Sequence, residues 1–373
     1  MGNLLGLRFM VSGLLAASVG LALAAGCSQR VPSAAQARVQ QIVRPPDFVG
    51  SDACAPCHQN EYNSQHRSHH ALTFHRMSRQ SLGDLAPPSG PIPHSPLTMK
   101  EKNGRFGIGV ASQSGNLPPL EYALGSGKTG MTYVTPLGSA AIAEMRMSYF
   151  PHQKRWYITP GHEKLPANSM GMVRTGAFAR QCVLCHAVTI PADSLEPEER
   201  FFGVGCEACH GPGSAHIAAM SAGKYDQGQM AKLETWPASR INTLCGRCHL
   251  TEQDVRKKNL QKDATHRFQA YGLAQSRCFK QSKETLSCIT CHDPHTNVST
   301  NQKAYEAVCL NCHSGTPSSH RPAPLQSVAI KPCPVSPKEH CIGCHMPSRR
   351  LMAASQISVA MADHFIRVVR NRE

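Results

Sequence analysis

The sequence predicts a mainly α, loop-rich chain with one small antiparallel β insertion and a core that side chains alone do not fill. Three observations predict it. Aromatic residues make up 6% and charged residues 17% of the 373 positions, which leaves few large side chains for a conventional core. Fourteen of the 17 cysteines fall into seven copies of one pattern, Cys-x-x-Cys-His, and six of those copies crowd into residues 182–345. The 124 residues between Cys57 and Cys182 hold no copy and instead carry strand-like segments parted by Gly and Pro.

Taken from the N-terminus, residues 1–26 have the form of an export signal. Arg8 is their only charge, and Val11 to Ala25 is an apolar run too short for a comfortable membrane span. The run ends at Leu23-Ala24-Ala25-Gly26-Cys27, which resembles a bacterial lipoprotein signal with Cys27 as the lipidated residue, although Ala24 stands where Leu is usual. The alternative is cleavage near Ala34 to Ala37, which leaves an unanchored periplasmic chain. Residues 27–46 are polar and rich in Pro and Ala and read as a flexible tether. The remainder divides into a first motif segment (47–85), a motif-free, partly β insertion (86–175) and a six-motif domain (176–373).

The seven motifs are Cys54/Cys57/His58, Cys182/Cys185/His186, Cys206/Cys209/His210, Cys245/Cys248/His249, Cys288/Cys291/His292, Cys309/Cys312/His313 and Cys341/Cys344/His345. Chance at this composition supplies about 0.04 copies. Two thiols three positions apart on one turn reach the two vinyl groups of a single haem, and the adjacent His is held against the iron as proximal ligand. A zinc or disulfide reading does not require His after every second Cys. The motifs therefore predict seven covalently bound haem c groups. Cys278 and Cys333 remain over and, in an oxidising compartment, are expected to pair as a disulfide, with thiolate ligation as the alternative.

Thirteen further histidines supply candidates for the opposite iron faces. His295 follows His292 by three residues, a span of at most about 11 Å; it cannot go round its own haem and is free to cap a neighbour. The same argument makes His216, in a Gly/Pro-rich turn after His210, a ligand in trans. Either His69 or His70 follows the first motif closely, with His66 and His75 in the same helical-looking stretch. His320 follows motif six, and His364 lies in the C-terminal segment. His94 and His152 read as surface residues; His162, His266 and His340 are left open.

Between the motifs, Pro87 to Pro96 reads as a loop. Strands are expected around Arg105 to Val110, Leu120 to Leu124, Met131 to Thr135, Ile142 to Tyr149 and Trp156 to Thr159. Gly125-Ser-Gly-Lys-Thr129 fails as a phosphate loop, because Tyr122 stands where its first Gly is needed. Glu252 to Gln275 reads as a long helical segment, and Leu351 to Arg370 as one amphipathic helix.

Several flanked motifs carry a resemblance: Gly203-Val-Gly-Cys-Glu-Ala-Cys-His-Gly-Pro-Gly-Ser-Ala-His216, Leu286-Ser-Cys-Ile-Thr-Cys-His-Asp-Pro-His295, Ser68-His-His70 and Cys341-Ile-Gly-Cys-His-Met-Pro347. Over roughly residues 48–370 the chain resembles bacterial multihaem c-type cytochromes of the cytochrome c-552/c-554 type. The resemblance implies haems in parallel-stacked and perpendicular pairs that form the core, and supports His70, His216, His295 and His364 as distal ligands. Two departures matter: His162 stands where Pro-Gly-Tyr is expected, and no Cys-x-x-Cys-Lys motif exists, which argues against nitrite reduction at a lysine-ligated haem.

The functional expectation is electron transfer by an exported, lipid-anchored conduit between a membrane quinol or cytochrome complex and a periplasmic or extracellular acceptor. The alternative is an oxidoreductase acting on a small nitrogen or sulfur species at one five-coordinate haem. Lys and Arg outnumber Asp and Glu 39 to 24, a net charge of +15, or +14 once Arg8 is removed with the signal. Fourteen haem propionates bring about −14. The basic excess is largely their counter-charge and calls for no nucleic-acid partner.

Overall fold

The computed structural model describes residues 47–112, 115, 117–260, 262–282, 285–315, 330–336, 338–350, 357 and 359–369. The expected signal, the tether, Cys27 and His320 lie outside these residues. No helix among the described residues is long and apolar enough to cross a membrane.

Strands occupy more of the chain than the mainly α expectation allows. They are β1 (Phe74–Arg76), β2 (Gly90–Pro91), β3 (Leu97–Lys102), β4 (Arg105–Val110), β5 (Tyr122–Leu124) and β6 (Thr132–Pro136). Then follow β7 (Ala141–Met145), β8 (Met147–Phe150), β9 (Arg155–Ile158), β10 (Gly171–Thr175), β11 (Ser348–Arg350) and β12 (Ala360–Ala362). One sheet runs β1-β5-β6-β7-β10, a second β2-β3-β4, and β8-β9 and β11-β12 form ribbons. The pairings of these strands are antiparallel throughout. The sheets begin at Phe74, before residue 86, and β2 falls inside the Pro87–Pro96 segment read as loop. Ile142 to Tyr149 is two strands, because Arg146 hands the chain from one partner to another: Met145 pairs with Gly171 and Met147 with Ile158.

Side-chain alternation explains how the five-stranded sheet is covered on both faces. Ala123, Tyr133 and Met145 face a cluster with Leu97, Met99, Phe106 and Ile108 of the three-stranded sheet. Tyr122, Leu124, Val134 and Ile142 face Ala179 and Val183 of the helix Gly176–Leu184. That helix carries Cys182, so the sheet is the platform on which the second motif stands.

The rest is short helices. The expected long segment from Glu252 is broken into Glu252–Lys257, a 3-10 turn Lys262–Arg267 and Gln269–Gln275. Asn259 sits at φ 46° in the break, a left-handed conformation that no continuous helix tolerates. The C-terminal segment is not the expected helix within its described part. Residues 360–362 pair with Ser348–Arg350, so the segment uses its hydrogen bonds across the ribbon.

Candidate haem sites

Each motif lies on or at the end of a short helical turn, which brings the paired thiols to one side. Cys206–His210 and Cys341–His345 are helices in themselves, and Ala238–His249 and Gln302–His313 end on their motifs. Cys288–Cys291 is a single turn capped by Ser287 and Thr290. In the first motif the His58 N–H donates to the Cys54 carbonyl at 3.0 Å.

Cys57, Cys248, Cys291 and Cys344 are exposed, whereas their motif partners Cys54, Cys245, Cys288 and Cys341 are half-buried. Each exposed thiol is the second of its pair, and none of the motif cysteines is joined in a disulfide.

The histidines come together in cross-motif pairs. Ring centroids lie 6.3 Å apart for His58 and His216, 6.1 Å for His249 and His70, 6.2 Å for His210 and His295, and 6.2 Å for His292 and His364. Two imidazoles bound through Nε2 to opposite faces of one metal, at about 2 Å each, put their centroids about 6 Å apart. The residues present therefore fit a haem between each pair.

A second pattern agrees. An imidazole that ligates through Nε2 anchors its Nδ1–H elsewhere. The Nδ1 of His186 lies 3.1 Å from the Thr73 carbonyl, of His210 2.8 Å from Ala231, of His216 3.2 Å from Gly228, and of His345 3.1 Å from Arg367. His364 Nδ1 lies 3.0 Å from the Ala362 carbonyl, His249 Nδ1 2.8 Å from Gln269 Oε1, and His295 Nδ1 3.0 Å from Asp293 Oδ1. Burial lowers the pKa of His70, His186, His292 and His364, which favours the neutral ring whose lone pair a metal needs.

Backbone geometry positions the second member of each pair. The Val204 N–H donates to the His70 carbonyl at 2.8 Å, an approach open only because residue 203 is Gly. Its φ is +77°, and a Cβ there would stand 1.8 Å from the Ala71 carbonyl oxygen. His364 is pinned by Ser276, whose hydroxyl donates to the His364 carbonyl at 3.2 Å and accepts from the Ile366 N–H at 2.8 Å.

Thiols of different motifs also meet. The thiols of Cys54 and Cys206, of Cys185 and Cys248, of Cys245 and Cys288, and of Cys309 and Cys341 lie close enough to interact. Cys209 lies within electrostatic reach of Cys245 and Cys248, and Cys309 within reach of Cys291. The motifs thus follow a contact order one–three–four–five–six–seven, with motif two attached to motif four.

Several other histidines have places away from these pairs. His94 and His152 are exposed, as expected. His75 sits on β1 rather than in a helix and uses Nε2 on the Leu72 carbonyl at 2.9 Å; His66 stacks on Tyr62. His162 is fully buried with Nε2 3.0 Å from Glu144, which also accepts from Arg174 at 2.7 Å. Burial pushes the Glu144 pKa up, but the bonds from His162 and Arg174 outweigh it and hold the carboxyl below its ordinary range. The expected Cys278–Cys333 bridge is absent, and both thiols are free. Cys278 lies within the electrostatic field of Cys312, and Cys333 within that of Cys341.

Residues 148–211 match the family described as cytochrome c554 and c-prime. The fold resembles that of the outer cell wall cytochrome OcwA, with a TM-score of 0.50 and 16% identity, covering 87% of this chain and 80% of that one. The matched segment and the fold are similar to those of multihaem c-type cytochromes. An undecahaem cytochrome from the S-layer of Carboxydothermus ferrireducens also aligns, at TM-score 0.43 and 16% identity, over 90% of this chain and 54% of that one. The chain spans about half the length of that protein. No curated protein matches its sequence. Sequence reasoning missed the partners that orient the rings, chiefly Gln269, and it missed Glu207, which the motif Cys-Glu-Ala-Cys-His displays as an acidic residue in a buried turn.

Proposed function

We propose that this chain is an exported heptahaem carrier, lipid-anchored at Cys27. It passes electrons between a membrane quinol or cytochrome complex and a periplasmic or extracellular acceptor. The observation that carries the reading is the set of four imidazole pairs at 6.1–6.3 Å. A haem c held between two imidazoles supplies a low-spin Fe(III)/Fe(II) couple with no open coordination position. The chain's own part is to fix both rings before and after electron arrival. It does so through the Nδ1 anchors on backbone carbonyls, Gln269 and Asp293, which limit rearrangement between oxidation states. The outer cell wall location of the neighbour OcwA supports export and an extracellular acceptor.

Mass spectrometry of the mature chain counts the haems and reads the N-terminal lipid. An EPR spectrum dominated by low-spin haem, with no carbon monoxide binding to the reduced protein, is the expected outcome. Stoichiometric carbon monoxide binding together with turnover of hydroxylamine, nitrite or tetrathionate would replace the carrier by an oxidoreductase.

A further inference from the structure

Glu207 lies between the two cysteines of the third motif and is buried, with 3% of its surface exposed. Both carboxylate oxygens accept backbone N–H groups from separate parts of the chain. Oε1 accepts from Gly213 at 2.7 Å and Val49 at 3.0 Å, and Oε2 from Gly50 at 2.8 Å and Val49 at 3.2 Å. A group that only accepts, at both oxygens, has the pattern of a carboxylate rather than a carboxylic acid.

The three donors belong to the haem pair that motifs one and three would form. Val49 and Gly50 open the turn that ends at Cys54, and Cys54 meets Cys206 across the gap. Gly213 precedes the helix Ser214–Ser221 that carries His216, the ring opposite His58. Ser51 adds a fourth tie, its hydroxyl accepting the Cys206 N–H at 3.2 Å. A larger residue at 213 would crowd this corner, with its Cβ 3.3 Å from Glu207 Oε1 and 3.2 Å from the Val49 side chain. Three backbone amides could be tied by a neutral acceptor at lower desolvation cost, so a buried charge at this point has an electrostatic consequence beyond its bonds.

We infer that Glu207 is the positioning residue of the haem pair carried by motifs one and three, and that its buried charge lowers the reduction potentials of that pair. A negative charge in a low-dielectric setting favours the ferric over the ferrous state, because oxidation adds one positive charge to the site. This rests on the reading of the motifs as haem sites. If the mature protein carries no haem, that reading fails; if it carries haem and the potentials do not respond, this inference alone fails.

The test compares the full-length holoprotein with Glu207→Gln and Glu207→Asp by EPR-monitored and optical redox titration. In Glu207→Gln two haems should titrate higher, with the ferric-to-ferrous ratio at fixed potential falling roughly tenfold, about 59 mV for a one-electron couple, while the others stay in place. Glu207→Asp keeps the charge and should restore most of the shift. Unchanged potentials in Glu207→Gln, or equal shifts in both variants, overturn the inference. Should Glu207→Gln mature with fewer haems, peptide mass mapping decides. Vacancies confined to motifs one and three support the positioning role, and vacancies elsewhere or spread over all seven overturn it.

Discussion

His364 is held on several sides, by its own Nδ1 on the Ala362 carbonyl, by Ser276 on its backbone, and by the neighbouring Asp363, which accepts from Arg367 at 2.7 Å. Such over-determination suits a ligand that must not move between oxidation states. Replacement of His364 by Met should convert one haem from two imidazoles to His/Met ligation. A near-infrared sulfur-to-iron band and a higher potential for that haem alone are expected; an unchanged spectrum would remove His364 from the ligand set. Glu144 makes a different kind of prediction. Its depressed pKa contributes stability that is present above the unfolded carboxylate value and lost as pH falls through the folded one. Glu144→Gln should cost about 1–3 kcal/mol at neutral pH, with the deficit shrinking in acid, as denaturant unfolding at several pH values would reveal. The partners of Glu144 were not legible in sequence, since His162 and Arg174 approach it from 18 and 30 residues away.

At the scale of elements, a short C-terminal ribbon stands where an independent helix was expected. β12 pairs with β11 just beyond the seventh motif, the Arg367 carbonyl anchors His345, and His364 faces His292. One strap thereby ties the fifth motif to the seventh. Its fit depends on Gly272 of the helix Gln269–Gln275, where a Cβ would lie 3.0 Å from the His364 carbonyl carbon and the Phe365 nitrogen. Gly272→Ala should push the strap outward, cost about 1–3 kcal/mol, and raise the high-spin fraction by one haem. A fully low-spin spectrum from that variant would show that the strap is not held there. The periodicity of residues 351–370 suggested a helix because local pattern is blind to a partner strand. The β4 strand, by contrast, was read at its observed bounds, since Arg105–Val110 alternates and is closed off by Gly104.

For the whole molecule, the contact order of the motifs makes a linear series with one side branch. Motif two reaches the others through the Cys185–Cys248 contact and otherwise stands on the five-stranded sheet. Removing its attachment by Cys182→Ala with Cys185→Ala should leave electron transfer between motifs one and seven nearly as fast as in the native protein. The same change at Cys245 and Cys248 should interrupt it. Flash-photolysis kinetics with a covalently placed photoreductant would separate the two, and equal slowing in both variants would argue against a branch.

What the sequence determined by itself was chemistry of fixed local spacing. Cys-x-x-Cys-His specifies attachment because all three groups sit on one turn, and the span from His292 to His295 excludes a shared iron by length alone. Tertiary structure decided which histidines meet, which motifs touch and where Glu207 points. Those relations join residues as far apart as Val49 and Glu207, and only the folded chain brings such distant backbone into register. It also decided that sheets take a larger share than helical periodicity allows, because strand partners are chosen at long range.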